Sequence, residues 1–365
     1  MEKNKYKICV YAICKNEEKF VNDWYNSMKE ADEIYVLDTG SSDKTVDKLK
    51  KLGVNVKTEV ITPWRFDTAR NKSLEMVPED TDICVCTDFD ERFNPGWRIE
   101  LEKIWSEKVN QVKYNYNWSF NENGTPAVNF YLDKIHDRHN YYWKNAVHEV
   151  VINKNNNGNI IYCDDITLNH YPDHTKPRTS YLPLLKLSVK EDPENDRNMH
   201  YLGREYMYYK KWNKCIDTLI KHLNLKSATW DLERSASMRF IGRSYIALKR
   251  YDEAKMWFNK AINETPNLRE PYMEMAFLMY QLKDYKELEK YINKLLSINT
   301  HNKVYINEPC CYNEIPYELL SISYYYQNRI EEAIATMEKA IKINDKNERL
   351  KNNLEIMKNN LNKNL

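Results

Sequence analysis

Between residues 6 and 93, apolar runs alternate with amphipathic stretches. "YKICVYAIC" (6–14), "EIYVLDTG" (33–40), "NVKTEVI" (55–61) and "DICVCT" (82–87) are rich in β-branched and aromatic side chains and read as strands. Between them lie "EKFVNDWYNSMKE" (18–30), "SDKTVDKLKKLG" (42–53) and "FDTARNKSLEMV" (66–77). Their apolar positions recur at helical spacing, and the second opens on Ser42 and Asp43 as caps and stops at Gly53. Strands separated by helices of this length predict parallel βαβ units.

From about Tyr181 the pattern is helical and repeats itself. Gly203, Gly242, Ala276 and Ser321 are each followed three positions on by Tyr206, Tyr245, Met279 and Tyr324. Nine residues further stand Cys215, Ala254, Leu288 and Ala333. This pattern resembles the tetratricopeptide repeat, with Pro266 closing the second copy. The spacings of 39, 34 and 45 residues, 203 to 242 to 276 to 321, require connections of unequal length.

In parallel sheets, ligands bind beyond the carboxyl ends of the strands. Those ends carry Lys15-Asn16-Glu17, Asp38-Thr39-Gly40-Ser41 and Asp88-Phe89-Asp90. Desolvating several carboxylates together is costly unless a cation compensates them. A hard divalent ion does so and bridges the phosphates of a nucleotide. The Asp88/Asp90 pair after a strand therefore marks a candidate metal site, a solvated acidic turn being the alternative. The chain has 365 residues and a net charge of +1, which argues against a dedicated nucleic-acid binder. No apolar run is long enough to span a bilayer, and no secretory signal is visible. Eight cysteines include no CxxC pair; buried free thiols in a reducing cytoplasm are the expectation.

"CKNEEKFVNDWYNSMKEADEIYVLDTGSSDKTVDKLKKLG", "WRFDTARNKSLEMV" and "DFDERF", in that order, resemble the family 2 glycosyltransferases of the GT-A fold. With "YWKNAVHEVV", "LNHYP" and "LPLLKLSVKEDPENDRNMHYLGREY" they resemble more narrowly the subgroup fused to tetratricopeptide repeats, which includes the sublancin-type peptide S-glycosyltransferases and bacterial and phage relatives. The resemblance implies a Rossmann-like α/β domain over 1–175, a connecting helix over 176–200 and about four repeats with a C-terminal helix over 201–365. It implies inverting transfer from a nucleotide-sugar donor, most commonly UDP-hexose, with Mn²⁺ or Mg²⁺.

Residue roles follow from that resemblance. Asp38 matches the acid that holds base or ribose, and Asn16 with Glu17 or Glu18 stands near it at the first strand end. Arg70 and Arg138 are candidates for the nucleotide and its diphosphate, and Trp143 for stacking on sugar or acceptor. Asp90 is the expected direct metal ligand, with Asp88 on the ribose or a metal-bound water and His170 completing the metal shell. Glu149 is the expected base, because the family uses a carboxylate after the Asp-x-Asp; His148 is the alternative, on the assumption that the pair lies in a strand. Groove positions of the repeats project Arg197, His200, Arg204, Arg239, Arg243 and Tyr280 as a basic and aromatic lining for a polypeptide acceptor, a homodimer interface being the alternative. Transfer to a glycan or lipid-linked acceptor, or a degenerate scaffold, are the other functional readings.

Overall fold

The computed structural model describes residues 5–173, 175 and 181–363. The chain divides into two compact units, 1–188 with 303–305, and 189–302 with 306–365. Positions 176–180 of the expected connector lie outside the described residues.

The first unit begins β1 (Ile8–Cys14), α1 (Val21–Met28), β2 (Glu33–Asp38), α2 (Thr45–Lys51), β3 (Asn55–Thr58), α3 (Phe66–Glu75) and β4 (Ile83–Cys86). These are the strands and helices the alternation predicts. It continues with β5 (Glu91–Phe93), α4 (Trp97–Ile104), β6 (Gln111–Phe120), β7 (Pro126–Asp137), β8 (Tyr141–Lys144), β9 (Val150–Asn153), β10 (Ile160–His170) and α5 (Tyr181–Glu191). The main sheet runs β3-β2-β1-β4-β7-β6-β10-β5, and β8 and β9 form a separate hairpin. The first four strands are mutually parallel; β7 enters antiparallel between β4 and β6.

Both faces of β1 are covered. Ile8, Val10 and Ala12 pack with Trp24 and Met28, while Cys9 and Tyr11 pack with Leu74, Val77 and Trp143. Burial on both sides explains the unbroken apolar run. All eight cysteines are free, and all but Cys310 are buried.

The second unit is helical: α6 (Asp196–Tyr208), α7 (Trp212–Asn224), α8 (Asp231–Ala247), α9 (Tyr251–Glu264), α10 (Arg269–Leu282), α11 (Tyr285–Leu296), α12 (Ile315–Tyr326), α13 (Ile330–Ile343) and α14 (Glu348–Lys363). Each copy of the repeat is one pair, α6/α7 through α12/α13. The small residues mark the closest approaches within pairs. A Cβ on Gly203 would fall 2.3 Å from Leu219, and one on Gly242 2.2 Å from Phe258. The widest spacing corresponds to the long connection between α11 and α12, which contains a 3-10 turn at Pro309–Cys311. Among the described residues no helix is long and apolar enough to cross a membrane.

Candidate active site

The carboxyl ends of β1 and β2 are tied together by their loops. Asn16 adopts a left-handed backbone (φ 56°); its amide donates to Ser41 Oγ at 2.8 Å, and its side-chain oxygen accepts from the Ser42 amide at 2.7 Å. The Glu17 amide donates to Thr45 Oγ1, and Glu18 accepts from the Lys44 amide and pairs with Lys48. Glu18 is thus committed to the start of α2, where an acid is favoured by the exposed amides and the helix dipole. Asp38 is 1% exposed and accepts from the Gly40 and Ser41 amides. Gly40 is left-handed there (φ 104°), which glycine permits without strain.

Beyond β4 the acids separate into two groups. Asp88 is held by Arg70 Nη2 at 2.5 Å on one oxygen and by Lys134 Nζ at 2.8 Å on the other. Although burial alone would raise its pKa, these two cations hold the carboxyl well below the usual carboxylate range. Glu91 accepts from the Asp88 amide and from Tyr116 Oη, each at 2.8 Å, with Lys134 Nζ at 3.4 Å. Burial moves the Glu91 carboxyl upward against the pull of Lys134. For Asp88 and Glu91 the nearest compensating charges are Arg70 and Lys134, side chains of the chain itself.

Asp90 turns the other way. Its Oδ2 lies 3.3 Å from His170 Nε2, and its carbonyl accepts from the Tyr171 amide at 2.7 Å. His170 Nδ1 is 3.0 Å from the Trp118 carbonyl, which can only accept, so Nδ1 carries the proton. Burial opposes the charged imidazole, but the Asp90 carboxylate outweighs it and raises the His170 pKa. Trp118, half exposed, stacks on the imidazole with centroids 4.3 Å apart. Of the expected metal trio the fold therefore brings together Asp90 and His170.

Arg70 links the acids to the candidate base. It is 3% exposed, donates from Nε to Glu149 Oε1 at 3.1 Å and lies over the Trp143 ring. Trp143 is core: its indole N–H donates to Tyr11 Oη at 2.8 Å, which corrects its role as an open stacking platform. His148 and Glu149 do not sit in a strand. They precede β9, and His148 is left-handed (φ 50°) with its ring edge against Tyr181, so strand alternation does not decide between them. Arg138 donates to the Val77 carbonyl and pairs with Glu79, in a cleft shared with Asp80 and Trp105, apart from the acids at the carboxyl end of β4.

In the second unit, Arg239 is fully buried, with Nη1 3.3 Å from Glu308 Oε1. Arg243 binds Glu274 through Nε at 2.7 Å and Glu308 through Nη2 at 2.9 Å. The projected basic lining is corrected here: these cations are neutralised within the unit. Arg204 packs over Tyr201 and Tyr208, and Tyr280 is 43% exposed. Sequence reasoning missed Lys134 and Trp118, and placed Glu91 among the strand-end acids without giving it a role. The signal for Lys134 was a lone cation within the apolar stretch "YLDKI" of a long strand.

A sheet with acids clustered at its strand ends and a helical-repeat unit define a two-part protein, an α/β unit and an all-helical one. Residues 9–159 match the family described as glycosyl transferase family 2, and 240–268 and 316–347 match the tetratricopeptide repeat. The chain thus carries a family 2 glycosyltransferase domain followed by tetratricopeptide repeats. It is 33% identical over 109 residues to an uncharacterized glycosyltransferase of Rickettsia bellii (strain RML369-C), which covers 30% of this chain and 35% of that protein. The chain therefore spans about a third of the length of this curated relative. Among solved structures, MamA is 19% identical, covering 49% of this chain and 99% of that one at a TM-score of 0.38. PilF of Pseudomonas aeruginosa is 15% identical, covering 47% and 70% at 0.37.

Proposed function

We propose that this protein transfers a sugar, with inversion, from a nucleotide diphosphate donor of the UDP-hexose type to a polypeptide side chain. The observation that carries the reading is the Asp90–His170 pair, with Asp90 inside the family-matched residues 9–159 and His170 at the end of the strand that follows them. A carboxylate oxygen and an imidazole nitrogen, the latter buttressed through Nδ1–H by the Trp118 carbonyl, suit Mn²⁺ or Mg²⁺ with positions left for the donor's oxygens. Bound there, such an ion supplies Lewis-acid neutralisation of the leaving diphosphate.

The chain's own residues do the rest. Asp38 and the interlocked loop at Asn16 and Glu17 form the nucleoside cradle. Arg70 and Lys134 fix Asp88 beside it. Glu149, oriented by Arg70, takes the acceptor proton, with His148 as the alternative; a thiol acceptor already ionised needs neither. The repeats supply the protein-binding half, which favours a polypeptide acceptor. A glycan acceptor is the second reading, favoured by the exposed indole of Trp118, whose face suits a pyranose ring. Seven buried free thiols favour a reducing compartment, the cytoplasm.

The test is hydrolysis of a panel of nucleotide sugars with and without Mn²⁺, by the wild-type chain and by Asp90→Ala. One donor should be turned over in a metal-stimulated reaction that Asp90→Ala abolishes. No turnover of any donor, or full metal-stimulated activity in Asp90→Ala, overturns the reading.

A further inference from the structure

Three side chains with metal-ligating chemistry meet inside the second unit, and the chemistry of sugar transfer uses none of them. His200 comes from α6, His222 from α7 and Glu233 from α8. Both imidazoles are fully buried, and Glu233 is 4% exposed. One potential ligand atom from each lies within 4.8 Å of the others, and His222 Nε2 is 3.5 Å from Glu233 Oε1.

Ser237, one helical turn beyond Glu233, explains how the rings are set. Its Oγ lies 2.7 Å from His200 Nδ1 and 3.0 Å from His222 Nδ1. A hydroxyl oxygen has two acceptor lone pairs, so it can accept from both Nδ1–H groups together. That arrangement puts the free lone pairs on the two Nε2 atoms. Both Nε2 atoms are buried without a hydrogen-bond partner. Buried polar nitrogens left so are costly, and ligation removes the cost.

We propose that His200, His222 and Glu233 bind one zinc-class divalent cation that staples α6, α7 and α8 together, with Ser237 as the shared outer-sphere acceptor. Two imidazoles and a carboxylate are a recognised zinc donor set. Zinc–nitrogen bonds of about 2.0–2.1 Å place tetrahedral ligands roughly 3.4 Å apart, so the three atoms must draw inward by at most about 1.5 Å. The alternative is an ion-free chain in which His222 Nε2–H donates to Glu233 and Ser237 donates to His222.

The experiment uses the full chain carrying Asp90→Ala, which removes a ligand of the proposed donor site. After chelator treatment it is titrated with Co²⁺ alone, and with Zn²⁺ in competition. One equivalent should bind with the visible absorption of four-coordinate cobalt, and amide exchange in α6, α7 and α8 should slow. Ser237→Ala should weaken binding about 10–100-fold without changing the stoichiometry. His222→Gln should weaken it on the order of 100-fold or more. If His222→Gln does not fold, Glu233→Gln, which keeps the shape, should still cost at least about tenfold. No bound ion in the Asp90→Ala chain, or an affinity unmoved by every folded variant among these, overturns the proposal.

Discussion

Deleting the Lys134 charge is the most direct perturbation of the acid cluster, and Lys134→Met does so while keeping most of the aliphatic stem. The ammonium stands 2.8 Å from Asp88 Oδ2 and 3.4 Å from Glu91 Oε1, and its side chain is 14% exposed. Removing one partner of a buried ion pair costs about 3–5 kcal/mol. Arg70 still holds the other Asp88 oxygen, and Asp88 is a third exposed, so the low end, about 3 kcal/mol, is expected. At about 2–4 °C per kcal/mol for a unit of this size, the melting temperature should fall by roughly 6–12 °C. The loss should depend on pH. Glu91, whose carboxyl burial already raises, would lose its nearest cation and move further up. A folded-state pKa above the unfolded value makes the folded state the better proton binder, so stability falls as pH rises through the folded pKa. The deficit of Lys134→Met relative to wild type should therefore be smaller at about pH 5 than at about pH 8, the part that comes from the still-ionised Asp88 persisting at both. Thermal melts at both pH values, with hydrogen exchange of the β4 and β7 amides, measure it. Equal melting of the two proteins at both pH values would refute the assignment of Lys134 and leave Arg70 as the sole neutralising group.

Three further outcomes are expected. Glu149→Gln should lower turnover by about 10²–10⁴; a mild effect there with a severe one in His148→Ala would exchange the two roles. Gly242→Ala should destabilise the repeats, because its Cβ would fall 2.2 Å from the buried Phe258 ring. A contact this short with a buried ring belongs in the upper half of the overpacking range, about 2–3 kcal/mol, so after a helix-propensity gain of about 1 kcal/mol chemical denaturation should show a net loss of about 1–2 kcal/mol. Arg239→Glu should unfold the helical unit, by placing a third carboxylate with Glu274 and Glu308 in a fully buried position, whereas Arg239→Met should be tolerated better; helical circular dichroism distinguishes them.

The fold was legible because its signals are local. Strand runs such as "ICVYAIC" and the Gly203 and Gly242 spacings report burial and close packing directly, with no long-range information required. The position of the acids was legible too, since a strand end can be read from "DICVCTDFD". Their partners were not. Lys134 reaches Asp88 only because β7 enters antiparallel beside β4, a pairing that no local pattern encodes. The same holds for Arg239: on a helical projection it faces a groove, but Glu308 arrives from a long connection that the repeat pattern does not describe. The strand assumption at His148 failed for a local reason, since a left-handed residue there breaks the alternation.

Arg70 grips Asp88 and Glu149 with different nitrogens, one acid following β4 and the other preceding β9. Three positions far apart in the chain are thus one heritable unit. A descendant that loses the guanidinium strands two carboxylates together, and one that loses either acid alters how the guanidinium holds the other. Substitutions here should be strongly epistatic, with double changes costing less than the sum of single ones. Across divergent lineages these three residues should persist as a set or be exchanged as a set, even while the surrounding helix surface drifts freely.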